Sequence, residues 1–98
     1  MTAKRCLNPI DAGADWPLLL HTAKRVIGRQ RVNIPWIQRH VRVGFAKAGT
    51  LLDLLEGAGV VSPATGDSGG YREVLVPLAE RDSAMDQLEA MAGAHTDA

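Results

Sequence analysis

The run Ile34-Pro35-Trp36-Ile37-Gln38-Arg39-His40-Val41-Arg42-Val43-Gly44-Phe45-Ala46-Lys47-Ala48-Gly49 decides the fold of this chain. Pro35 stands where the first turn of a helix tolerates it, because the N–H it lacks would have no intrahelical partner there. Trp36, Ile37, His40 and Val41 supply a candidate inward face for a short helix. Val43-Gly44 interrupts it, and a longer helix is expected from Phe45 to about Gly57. On that helix Phe45, Ala48, Leu52 and Leu55 form one stripe with Leu51 beside it. Ala46, Thr50, Asp53 and Gly57 line the opposite face, flanked by Lys47. Gly57 and Gly59 are natural stop signals.

Upstream, Asp15 is placed as an N-cap and Pro17 lies in the first turn of an earlier helix. Leu19, Leu20, Ala23, Val26 and Ile27 give that helix its apolar face, and Gly28 marks its end. Arg31-Val32-Asn33 allows only a brief extended segment. Residues 1–14 lack sustained periodicity and read as a flexible leader or linker. Downstream the period changes. Val60-Val61 and Tyr71-Arg72-Glu73-Val74-Leu75-Val76 favour strands, and the nine residues from Ser62 to Gly70 are almost all turn formers. A C-terminal β-hairpin with a long tip follows, ended by Pro77. Ser83 with Asp86 resembles a capping box, and Met85, Leu88 and Met91 recur every third residue, so a short acidic helix is allowed in 79–98. The expected fold is α+β: a winged helix-turn-helix of three helices plus the hairpin wing over 15–78, followed by an acidic tail.

Eleven Lys and Arg balance eleven Asp and Glu in the 98 residues, but their distribution is uneven. No Asp or Glu lies between Asp15 and Asp53, a stretch holding Lys24, Arg25, Arg29, Arg31, Arg39, Arg42 and Lys47. From Glu80 onward Glu80, Asp82, Asp86, Glu89 and Asp97 face only Arg81. Such asymmetry suits either a basic surface for a polyanion or helical faces neutralised by the tail. The one cysteine, Cys6, excludes an intrachain disulfide and agrees with a reducing cytoplasm. The apolar runs are too short to span a bilayer. His21, His40 and His95 have no metal-ligand spacing, and no nucleophile, base and acid form a catalytic set. Gly66, Gly69 and Gly70 sit in a hairpin tip rather than between strand and helix, so neither a cofactor nor an enzymatic activity is expected.

The run 34–49, the following Leu51-Leu52-Asp53-Leu54-Leu55-Glu56-Gly57-Ala58-Gly59-Val60-Val61 and the strand Arg72-Glu73-Val74-Leu75-Val76 resemble the gamma domain of FtsK/SpoIIIE-type DNA translocases. The likeness extends from about Asp15 to Pro77, and Gly44-Phe45-Ala46-Lys47-Ala48-Gly49 is similar to actinobacterial versions, related to those of conjugative-plasmid translocases. It implies a winged helix that recognises a short oriented motif in double-stranded DNA. Such a domain steers a hexameric ATP-driven motor in chromosome segregation or conjugation, and in cell-division translocases contacts a recombinase. It also implies a cytoplasmic module, tethered where the motor is membrane-anchored. No Gly-x-x-x-x-Gly-Lys-Ser/Thr loop accompanies it. The family commonly has Arg in place of Thr50, and many members have Asn-Arg in place of Ala46-Lys47, so bidentate base contacts are missing at these positions.

Candidate DNA contacts follow. Lys47 is placed to reach a guanine edge or a phosphate, and Thr50 to offer a hydroxyl or touch a thymine methyl. Asp53 either accepts from a cytosine amino group or repels phosphate. Arg39 and Arg42 suit backbone phosphates, which fix register rather than read sequence, or else pair with the C-terminal acids. Gln38 is similarly placed or simply solvated. Arg72 is the basic residue at the base of the wing, or pairs across the hairpin. Trp36, Phe45 and the leucines are read as core. A standalone transcriptional regulator and a protein-interaction winged helix are the competing functions.

Overall fold

The computed structural model describes residues 5–63 and 70–96. Helix α1 spans Trp16–Val26, strand β1 Arg31–Val32, helix α2 Ile34–Val41, helix α3 Phe45–Ala58, strand β2 Arg72–Glu73 and helix α4 Arg81–Thr96. One-turn 3₁₀ segments, Gly13–Asp15 and Leu78–Glu80, lead into α1 and α4. The class is α+β, with four α-helices and a two-stranded antiparallel sheet.

Each helix boundary has a local cause. Pro17 lies in the first turn of α1. Asn33 caps α2, its side-chain oxygen accepting from the Trp36 amide at 2.9 Å, with Pro35 in the first turn. Gly28, just past α1, has φ +99°, and a Cβ there would stand 3.0 Å from Leu78 Cδ1, so it needs glycine for its backbone and for space. Gly59 (φ +92°) ends α3, its amide donating to Glu56 and Leu55 carbonyls. Between α2 and α3 only Arg42, Val43 and Gly44 intervene, and Arg42 adopts the left-handed conformation (φ 62°). Two helices joined by so short a turn form a helix-turn-helix pair.

The core lies where α1, α2 and α3 meet. Leu19, Ala23 and Val26 of α1, Ile37 of α2, and Ala48, Leu51 and Leu55 of α3 are fully buried. Val32 of β1, with Val60 and Val76 from the segments beside the sheet, closes it from that side. Thr22, also fully buried, satisfies its hydroxyl by donating to the Leu18 carbonyl at 2.8 Å.

Two parts of the sequence expectation change. The described residues add a fourth helix to the expected three, and the paired strands are β1 and β2, which are distant in sequence. Their register sets Arg31 opposite Glu73 and Val32 opposite Arg72. The two arms of the expected hairpin meet at one bridge, Val61 with Val74, supported by Ser62 N–H to the Glu73 carbonyl and Leu75 N–H to the Val60 carbonyl, both 2.8 Å. Its tip, 64–69, lies outside the described residues, as do Lys4 and Asp97. The second change is α4. It has 16 residues and packs on α1, burying Ala84 and Leu88 while Asp82, Asp86 and Glu89 stay exposed. Sparse apolar residues among acids read as a tail; in the fold Met85, Met91 and Ala92 pack against the core beside Ala84 and Leu88.

The residues before α1, expected to be a leader, supply Leu7 and Ala12 to the core. The Leu7 amide donates to Gln87 Oε1 at 2.7 Å, and the Asn8 amide to the Ala58 carbonyl at 3.0 Å. Asp15 makes no capping bond; its carboxylate is engaged by Lys47 instead.

Candidate nucleic-acid interface

Helix α3 presents the face that its sequence pattern assigns to solvent: Ala46, Thr50, Asp53 and Gly57 are all exposed. Its N-cap, Gly44, offers no side chain, and its first turn holds no acid. The free amides of that turn carry the positive end of the helix dipole.

The charged candidates divide sharply. Lys47 donates to both Asp15 oxygens, at 2.9 and 3.1 Å, which draws its ammonium to the flank of α3 beside α1. Arg72 turns inward rather than outward. Its side chain is only 11% exposed, with Nη2 3.1 Å from Asp53 Oδ1 and Nη1 3.1 Å from Glu56 Oε1. The same Nη1 lies 3.4 Å from the Leu52 carbonyl. Wing-base strand and α3 are thereby clamped together, and the expected pairing partner of Arg72 across the hairpin is replaced by two acids of the helix. Asp53, one of the candidate base readers, is a member of this clamp. Thr50 donates its hydroxyl to the Ala46 carbonyl at 3.1 Å.

Arg39 and Arg42 are exposed at the C-terminal end of α2 and, among the described residues, the side chain of neither has a hydrogen-bond or ion-pair partner. Gln38 is half-buried on the same helix. Two further arginines, outside the sequence-based candidates, extend this cationic border. The Arg29 guanidinium stands 5.6 Å from the Trp36 ring centroid, and Trp36 stacks on His40 with centroids 4.1 Å apart. The His40 Nδ1–H donates to the Trp36 carbonyl at 2.9 Å, so the ring is fixed along α2. Arg31 of β1 lies 5.1 Å from the Tyr71 ring. None of these four arginines pairs with a carboxylate of the described residues. Arg29 and Arg31 were visible in the sequence only as part of a basic run; what singles them out, a neighbouring aromatic, is tertiary.

Phe45 is the second omission. Read as core from its stripe, it is 69% exposed. A side chain in the first turn of a helix leans toward the N-terminus, over a turn that does not exist there, so the stripe at Ala48, Leu52 and Leu55 is buried without it. Trp36 is partly buried against the core, close to expectation.

The chain is a small α+β domain with a helix-turn-helix pair and four arginines that make no ion pair among the described residues. The match to known proteins is more particular. The Ftsk gamma domain model matches residues 15–77, and the chain belongs to that family. It is 45% identical to the DNA translocase FtsK of Tropheryma whipplei over 78 residues, 80% of this chain and 10% of the relative. To the DNA translocase FtsK of Mycobacterium tuberculosis (strain H37Rv) it is 43% identical over 75 residues, 76% of this chain and 9% of the relative. For the Streptomyces coelicolor protein of the same name the identity is 41%, over 76% of this chain and 8% of the relative. The chain thus spans about a tenth or less of these relatives. No solved structure matches. Among the described residues, no helix is long and apolar enough to cross a membrane.

Proposed function

We propose that the chain is a winged helix-turn-helix module that binds double-stranded DNA, recognises a short oriented motif and guides a DNA translocase. The observation that carries this reading is the sorting of charge around the helix pair. Lys47 and Arg72 are neutralised within the fold, while Arg29, Arg31, Arg39 and Arg42 have no acidic partner among the described residues. Arginines held without counter-ions beside an exposed helix suit a polyanion, because phosphate supplies the missing charge and displaces condensed counter-ions from DNA. Helix α3 enters the major groove by its N-terminal half, with Arg39 and Arg42 on the flanking phosphates. Its uncapped first-turn amides favour a phosphate near Gly44. Family membership supports the translocase setting, in which this domain selects direction and a separate motor supplies movement.

The test is selection from a random duplex pool followed by titration of the bound duplex with salt. Binding should weaken steeply, the logarithm of affinity falling by roughly 0.9 per phosphate neutralised for each tenfold rise in salt. Failure to retain any duplex at low salt would remove the reading and favour a protein partner for α3.

A further inference from the structure

Resting on that reading, we infer that α3 distinguishes sequences by touching thymine 5-methyl groups with Phe45, Ala46 and the methyl of Thr50, rather than by paired hydrogen bonds to base edges. The polar groups of the exposed face are already committed inside the protein. Lys47 is held by Asp15, Asp53 by Arg72, and the Thr50 hydroxyl proton by the Ala46 carbonyl. A bidentate contact to guanine or adenine needs a free guanidinium or amide, and the exposed residues of α3 include neither. What remains uncommitted is apolar.

Phe45 stands 69% exposed with nothing in the fold to cover it. Ala46 follows it, and Thr50 lies one turn beyond Ala46 on the exposed face. Thr50 Oγ1 donates back along the helix to Ala46, which leaves the residue its Cγ2 methyl and no free donor. In the major groove only thymine carries a methyl, and Ala, Thr and Phe are side chains that meet it. Charge complementarity sets the occupant: the exposed Phe45 is flanked in sequence by Arg42 and, on α2, Arg39, which lack acidic partners among the described residues. A polyanion with apolar groups on its groove floor fits both features.

The experiment takes the duplex that the full chain selects from a random pool and replaces its thymines by uracil, one at a time. Uracil keeps every hydrogen-bonding group and lacks only the methyl. At one position or more the replacement should lower affinity about fourfold, the value expected for one apolar carbon taken out of water. Phe45→Ala or Thr50→Ser should abolish that difference at its own position; Thr50→Ser is the sharper variant because it retains the hydroxyl. Both sites are exposed, so thermal melting should match the parent chain and exclude misfolding. If uracil is tolerated at every position while the selected sequence is still preferred, or if Thr50→Ser keeps the full preference and Phe45→Ala weakens all duplexes equally, methyl readout is overturned and DNA binding stands. If no duplex is selected, the DNA-binding reading falls and this inference with it.

Discussion

Replacing Arg72 separates a structural arginine from a DNA-contacting one. In Arg72→Ala the lost stem amounts to two methylenes, Cγ and Cδ, packed between β2 and α3, worth about 1.6 kcal/mol at roughly 0.8 kcal/mol each. The ion pairs add less. Asp53 is 72% and Glu56 39% exposed, so both acids are solvated when the guanidinium leaves, and the pairs together contribute about 1 kcal/mol or less. The expected total is about 1.5–2.5 kcal/mol, a drop of roughly 6–20 °C in the melting temperature for a domain of this size. Arg72→Met should recover most of it, because the apolar stem dominates. Unfolding in urea followed by tryptophan fluorescence is a direct assay, since Trp16 is buried.

The same variant makes a second measurement informative. Arg72 does not reach solvent with its charge, so the salt dependence of DNA binding by the folded variant should keep its slope. Arg39→Ala should do the reverse, leaving the urea midpoint unchanged and reducing the slope by about 0.9. A variant at Arg72 with an unaltered urea midpoint and a slope smaller by one phosphate would refute the clamp and return Arg72 to the DNA surface.

Arg42→Gly should raise the urea-unfolding free energy by about 0.5–1 kcal/mol, since it relieves a left-handed conformation costing roughly 1–2 kcal/mol at the expense of glycine's greater chain entropy. The same change should lower the salt slope by about one phosphate, so that stability and affinity move in opposite directions. Leu88→Ala should cost about 2–5 kcal/mol in urea unfolding, because Leu88 is fully buried; a loss below about 0.5 kcal/mol would show that α4 is dispensable to the fold.

The helix pair was legible because its signals are local. Pro35, the Val43-Gly44 break and the stripe at Ala48, Leu52 and Leu55 depend only on neighbours in sequence, and they placed α3 from Phe45 to within a residue of its end. The exposed set Ala46, Thr50, Asp53 and Gly57 followed from the same periodicity. What the sequence hid is non-local. Strand β1 is two residues long and stands only because β2, some forty positions on, pairs with it. The inward turn of Arg72 depends on Asp53 and Glu56, three positions apart on α3, and nothing local to Arg72 announces them. Phe45 fits the buried stripe by spacing, yet a first-turn residue has no preceding turn to lean on. Among the described side chains of α4, Ala84 and Leu88 are buried and Met85, Met91 and Ala92 only partly so, too few to stand out among acids.

The balanced charge of the whole chain does not oppose binding to a polyanion, and the fold explains why. The acids near the helix pair are largely offset within the fold: Asp15 pairs with Lys47, and Asp53 and Glu56 share the single charge of Arg72. Further away, Glu80 pairs with Arg5 at 3.0 Å. The exposed acids Asp82, Asp86 and Glu89 sit on α4, which packs on α1, while α1 in turn packs on α2 and α3. Packed helix axes stand about 8–10 Å apart, and the screening length at physiological salt is about 8 Å. A phosphate at the outer edge of α2 is therefore more than one screening length from the α4 carboxylates. It responds to Arg39 and Arg42 nearly as though the acidic helix were absent. Lowering the salt lengthens that reach, to about 30 Å at 0.01 M, and brings α4 back into play. The slope of log affinity against log salt should therefore be straight near physiological ionic strength and flatten at the dilute end, where the repulsion of α4 offsets part of the gain.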